Sequence, residues 1–262
     1  ELTYHQQHNR RSAFSKFFIF CLSYEACKIN PFTTADNVAR LIKKPEPEKQ
    51  RSPLELNQFF TIYNCEAINK YPHVKIAMAI AITTGMREEN QCLLELNRHV
   101  VNNCLQTDIT KSVNQRGIEE AAYHSYDLSS HTMLRNAIKL ARELSIKHRR
   151  CPFVLSYHQR GTYNQLGNKK HMSQVTPDRL SKDFATVRDT CELTWAKKKP
   201  ASFHETKGLF IKLASQKYSE KQVQEASAHL NSSTTKTYIE NHQPIYKNID
   251  VVITEEMLGS KL

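Results

Sequence analysis

Hydrophobic positions recur with helical spacing along most of the chain. Phe14, Phe17, Phe18, Cys21 and Leu22 repeat at i, i+3, i+4, i+7 and i+8, which predicts an amphipathic helix within 10–28. Asn30-Pro31 is expected to end it, because the residue before a proline is pushed out of the α region. Ser52-Pro53-Leu54-Glu55 reads as an N-cap, a first-turn proline and the start of a helix through about Asn64. Residues 74–84 are apolar and alanine-rich on every side, the pattern of a buried helix, and Gly85 follows as a C-terminal breaker. The next helix is expected to bury Cys92, Leu93 and Leu96. Leu134, Ile138, Ala141 and Leu144 predict one face of a helix that runs to about Lys147, capped by Ser129 or Ser130. Thr176-Pro177-Asp178 opens another, with Leu180, Phe184 and Val187 inward. Ser219-Glu220-Lys221-Gln222 is a capping box that starts one more.

The period changes over 99–128. Val100-Val101, 105–110 and 121–126 are short and β-prone, with turns at Asn102-Asn103 and Gln115-Arg116-Gly117, so a small antiparallel sheet of about three strands is predicted. The fold class is therefore mainly α with a small antiparallel sheet (α+β). Residues 43–53 mix three prolines with charged side chains and read as a linker. This divides the chain into 1–42, the end of a small helical domain, the linker 43–53, and a second domain over 54–262. One helix cannot bury enough surface to be stable alone. Residues 156–175 are polar, basic and aromatic, and read as a long surface loop; Lys197-Lys198-Lys199-Pro200 reads as an exposed basic turn. In the polar C-terminal stretch, Val251-Val252-Ile253 and Met257-Leu258 are apolar and fit docking on the same chain or on a neighbouring protomer equally well.

Composition narrows the function. Only 6 glycines among 262 residues argue against Gly-rich phosphate loops and a turn-dense all-β fold. A formal net charge of +11 points to a polyanionic partner, most often nucleic acid, with a solvated basic surface as the plainer reading. Seven cysteines, an odd number without a Cys-x-x-Cys pair, disfavour a disulfide framework or zinc ribbon and fit a reducing, cytosolic setting. No apolar run approaches the ~18 residues that span a membrane, and no signal peptide is evident. The start at Glu1 rather than methionine fits a piece of a longer protein.

Chemistry concentrates in 204–238. His204-Glu205-Thr206-Lys207, then Ala228-His229-Leu230, then Thr237-Tyr238 place two histidines, a lysine and a tyrosine across three short segments, with Arg87 upstream in Thr83-Thr84-Gly85-Met86-Arg87. Singly, such a histidine is more often a hydrogen-bonded structural residue and such a tyrosine a packing residue. Together they match a need. Cutting a phosphodiester without metal takes a nucleophile, cations around the non-bridging oxygens where charge builds, and an acid for the departing oxygen. Clusters of acidic metal ligands are not evident, so a two-metal nuclease has little support and no metal or cofactor is expected.

These motifs resemble those of the tyrosine recombinase (phage integrase) family. Thr83-Thr84-Gly85-Met86-Arg87 resembles its first arginine box, and His204-Glu205-Thr206-Lys207 its second, His-x-x-Arg. Ala228-His229-Leu230 resembles the Leu-Gly-His step, and Tyr238 follows nine residues after His229 as the family's tyrosine does. Lys111, 24 residues after Arg87, matches the lysine of the β-hairpin turn, and Lys28-Ile29-Asn30-Pro31-Phe32 resembles the end of the family's core-binding domain.

The resemblance implies that Tyr238 attacks the scissile phosphate and forms a 3′-phosphotyrosyl link with release of a 5′-hydroxyl, so that rejoining needs no ATP. It implies Arg87 as a bidentate phosphate clamp, His229 as a further donor, Lys111 as general acid and His204 as base or orienting group for Tyr238. It further implies a catalytic domain behind part of a core-binding domain, the two clamping duplex DNA at specific attachment sites, and a homotetramer on two such sites. An accessory DNA-bending protein, a bacterial or phage-encoded cytoplasmic setting at the nucleoid, and integration or excision of a mobile element follow from it as well. DNA affinity is expected to fall steeply with salt. Arg10, Arg11 and Lys16 on the first helix, Arg160, Lys169 and Lys170 in the long loop, and Lys182 on the helix after it are candidate DNA contacts; for the first three a solvated face is the equal alternative.

Three positions depart from the family pattern. Lys207 stands where a second arginine is usual, keeping the charge without the planar fork. Asn90 stands where a carboxylate is usual, and Ala228 replaces a glycine. A type IB topoisomerase-like or telomere-resolving enzyme, and a catalytically impaired DNA-binding relative, are the alternatives.

Overall fold

The computed structural model describes residues 3–32, 51–108, 123–158, 169–227 and 247–259. The chain divides into two compact units, Glu1–Gln50 and Arg51–Leu262.

In the first unit, α1 spans Tyr4–Ser23 and opens on a capping box between Thr3 and Gln6. It stops at Ser23, not at Asn30 as expected. Glu25 takes a left-handed conformation at φ 57°. The chain then folds back, and Asn30 Nδ2 donates to the Ser15 carbonyl at 3.0 Å. Phe14 and Phe18 meet Phe32, but Phe14, Phe17, Ile19 and Phe20 remain more than half exposed.

The second unit is built around one buried helix. Its described elements are α2 (Leu56–Asn64), a 3₁₀ turn (Glu66–Lys70), α3 (Pro72–Thr84), α4 (Glu88–Gln91), α5 (Leu96–His99), β1 (Val100–Val101), β2 (Cys104–Asp108), β3 (Tyr123–Asp127), α6 (Thr132–Lys147), α7 (Pro177–Asp189), α8 (Glu205–Ala214), α9 (Glu220–Ala226), β4 (Lys247–Asn248) and α10 (Glu255–Leu258). From His73 to Thr84, α3 is buried at every position but Lys75, as its unbroken apolar run predicts. It packs against α6 and α8 and touches α7. On α6, Leu134, Ile138, Ala141 and Leu144 face this core as expected, as do Leu180, Phe184 and Val187 on α7.

Three helix starts and ends differ from expectation. Ser52 does not cap α2: Glu55 does, and Ser52 instead pairs with 197–199, its N–H donating to the Lys199 carbonyl at 2.9 Å. Ser129 and Ser130 do not cap α6, which starts after His131; both hydroxyls donate to Asp127, whose carboxyl these bonds hold down at about 2. Cys92 and Leu96 are buried as expected, but Leu93 is 42% exposed, because the chain turns between α4 and α5 rather than continuing as one helix.

The sheet runs β1-β2-β3-β4. β1 to β3 form the expected antiparallel meander, with Leu105 opposite Tyr126 and Thr107 opposite His124. β4 is a fourth strand that the local pattern did not indicate, parallel to β3 with His124 opposite Lys247. The chain beyond it docks on its own unit: Val251, Ile253 and Leu258 are buried in the core, and Tyr218 Oη both donates to the Val252 carbonyl (3.0 Å) and accepts from its N–H (3.1 Å).

Candidate active site

The end of α3 sets the position of Arg87. Thr83 and Thr84 hydroxyls bond back to the Ala79 and Ile80 carbonyls at 2.7 and 2.6 Å, which pairs two buried donors within the helix. Gly85 then turns the chain at φ 64°, with the Phe210 ring of α8 so close that a Cβ there would lie 2.6 Å from it. Tyr126 Oη donates to the Thr84 carbonyl at 3.1 Å and lies 3.0 Å from His124 Nδ1. Burial pushes the Tyr126 phenol far above its ordinary value, so it stays a neutral donor. Helix end, glycine turn and buried phenol together deliver Arg87, half-buried, as the N-cap residue of α4.

Lys207 comes from the opposite side, on the first turns of α8. It is 5% exposed, and its ammonium donates to the Ser227 carbonyl at 2.7 Å. Arg87, Asn90 and Tyr126 together with Lys207 and Ser227 line one small cleft. The hydroxyls of Thr206 and Ser227 are buried with no hydrogen-bond partner among the described residues. His204 lies exposed at the start of α8, one turn before Lys207. Its charge bears on Glu88, next to Arg87: burial raises that carboxyl, against the Ser181 hydroxyl that donates to it at 2.8 Å and against His204.

The two boxes, Arg87 and His204–Lys207, thus meet although 117 to 120 residues separate them. Lys111, His229 and Tyr238 lie outside the described residues, as does Arg160. Among the candidate DNA contacts, Arg10 and Lys16 are exposed on α1, while Arg11 sits 5.7 Å over the Phe32 ring. Lys170 and Lys182 are exposed, but Lys169 is partly buried and donates to Tyr157 Oη at 2.8 Å.

Several supporting residues escaped the motif reading. Arg179 stands 4.9 Å over the Tyr157 ring and donates to Asp183 at 2.6 Å, while His73 on α3 contacts the same carboxylate at 2.8 Å. Burial works to raise Asp183, but the bonds from His73 and Arg179 outweigh it and hold the carboxyl below its ordinary value. The i, i+4 spacing of Arg179 and Asp183 was the available signal. Tyr126 and Ser227 gave none, because Tyr126 donates to the Thr84 carbonyl and the Ser227 carbonyl accepts from Lys207, partners remote in sequence.

No protein-family model matches the sequence, and no curated protein matches it. Solved structures do. A lambda integrase tetramer bound to a Holliday junction aligns at TM-score 0.59 and 19% identity over 86% of this chain and 56% of that one. Lambda integrase residues 75–356 bound to DNA align at 0.58 and 17%, over 85% of this chain and 70% of that one. The Tn1549 transposon integrase with circular intermediate DNA aligns at 0.53 and 17%, over 88% and 73%. The fold is that of the tyrosine recombinases. The chain spans little more than half the length of the tetrameric integrase.

Proposed function

We propose that this chain is a site-specific DNA recombinase that cleaves and rejoins duplex DNA through a 3′-phosphotyrosyl intermediate. The observation that carries the reading is the convergence of Arg87 and Lys207 on one small cleft, with His204 one turn away, inside this fold. In the proposed reaction the Tyr238 oxygen attacks phosphorus and its proton passes to His204. The bond from phosphorus to the 5′-oxygen breaks, and Lys111 protonates that oxygen. Arg87 holds the non-bridging oxygens with a bidentate guanidinium, and His229 adds a donor. Rejoining is the reverse, with a 5′-hydroxyl displacing the tyrosine. Partners on this reading are specific duplex sites and three further copies of the chain, in service of a mobile element.

Lys207 cannot repeat the grip of Arg87, since an ammonium lacks the planar fork. A slow enzyme follows from that. The engagement of Lys207 with a backbone carbonyl also favours a second reading, a DNA-binding relative without turnover. The test is a nicked suicide duplex, chosen by binding selection from a randomised library. The native protein is expected to give an SDS-resistant adduct that Tyr238→Phe abolishes. Duplex binding without any adduct would establish the second reading instead.

A further inference from the structure

Lys207 is buried, and its ammonium is engaged with a protein carbonyl. Resting on the recombinase reading, we propose that Lys207 is a positioning residue: its ammonium fixes the C-terminal cap of α9, and so the start of the segment that carries His229 and Tyr238. Ser227 is the C-cap residue of α9 and is 1% exposed, so its carbonyl is a helix-end acceptor cut off from water. The Lys207 ammonium meets it at 2.7 Å. A cation at that end also complements the helix dipole. A compact ammonium on a flexible stem suits one carbonyl, whereas a guanidinium fork suits paired oxygens.

Access points the same way. Lys207 is 5% exposed, whereas Arg87 on the same cleft is only half-buried. Ser227 is followed in the sequence by the segment that carries His229 and Tyr238, so anchoring it fixes where that segment starts. Lys207 thereby ties the second motif to the chain leading to the nucleophile, and Arg87 is left as the phosphate clamp.

The two roles separate when the substrate loses a charge. A methylphosphonate at the scissile position removes one non-bridging anionic oxygen, so a cation that only neutralises the phosphate is no longer needed. The selected nicked duplex is prepared in both forms and given to the native protein, Arg87→Ala, Lys207→Met and Lys207→Gln. Arg87→Ala is expected to regain adduct formation on the methylphosphonate. Lys207→Met is expected to stay at least tenfold slow on both substrates. Lys207→Gln, whose amide still donates to Ser227, is expected to recover part of the rate, and it carries the test should the methionine variant fail to fold. Backbone amides of 220–227 are expected to exchange at least tenfold faster in Lys207→Met. Recovery of Lys207→Met on methylphosphonate to the level of Arg87→Ala would overturn the proposal, as would unchanged exchange in α9. If the native protein forms no adduct on any duplex, the recombinase reading falls, and exchange over 220–227 alone decides whether the Lys207–Ser227 tie holds.

Discussion

Two polar side chains in the core, Tyr126 and Lys207, each spend a donor on a carbonyl at the end of a helix, Thr84 for one and Ser227 for the other. A buried donor or acceptor left unpaired costs about 1–3 kcal/mol, so each pair is held firmly once formed. Glu88 is a different case. Burial raises its carboxyl from 4.5, and neither Ser181 nor His204 fully offsets this. The folded state therefore binds the Glu88 proton more tightly than the unfolded chain does. The stability this contributes is complete below the ordinary carboxylate range and is lost as pH rises through the raised folded value. Glu88→Gln still accepts from Ser181 and has no charge to desolvate. Its melting temperature is expected to exceed the native value at neutral pH, with the gap closing as pH falls to about 4. A gap that does not change between those pH values would refute this account of Glu88.

At the scale of elements, the join between α3 and α8 does most to place the site. Gly85 combines a left-handed backbone with van der Waals contact to Phe210, so a methyl group there is refused twice. Gly85→Ala is expected to cost roughly 2–4 kcal/mol, from the positive φ and from overpacking together. It also displaces the turn that presents Arg87, so adduct formation is expected to fall further than stability does. Urea denaturation and the suicide-duplex rate measure the two effects. An alanine variant with native stability would show that the Phe210 ring moves aside freely.

For the molecule as a whole, the tail closes the second unit. β4 extends the sheet, Val251 and Ile253 plug the core, and Tyr218 Oη receives and returns the hydrogen bonds of Val252. Tyr218→Phe leaves both backbone groups of Val252 without that partner, at a cost of roughly 1–3 kcal/mol. The urea midpoint is expected to drop accordingly, with duplex binding retained. An unchanged midpoint would mean that apolar burial alone holds the tail.

The buried helix α3, the amphipathic faces of α6 and α7, the capping box at Ser219 and the three-stranded meander were legible in the sequence, because period and capping are local properties of the chain. The motifs around Arg87 and His204–Lys207 were legible too, and the fold brings Arg87 and Lys207 to one cleft. What stayed hidden depended on partners far away. Ser52 is a good cap by type, yet its hydroxyl and backbone are taken up by Lys197 and Lys199. β4 is too short to show a period, and it exists because an open edge of β3 accepts it. The docking side of the tail and the partner of Lys207 are likewise settled by tertiary packing. Whether an apolar strip finds its own core, or an ammonium finds one particular carbonyl, depends on distances that only the folded chain creates.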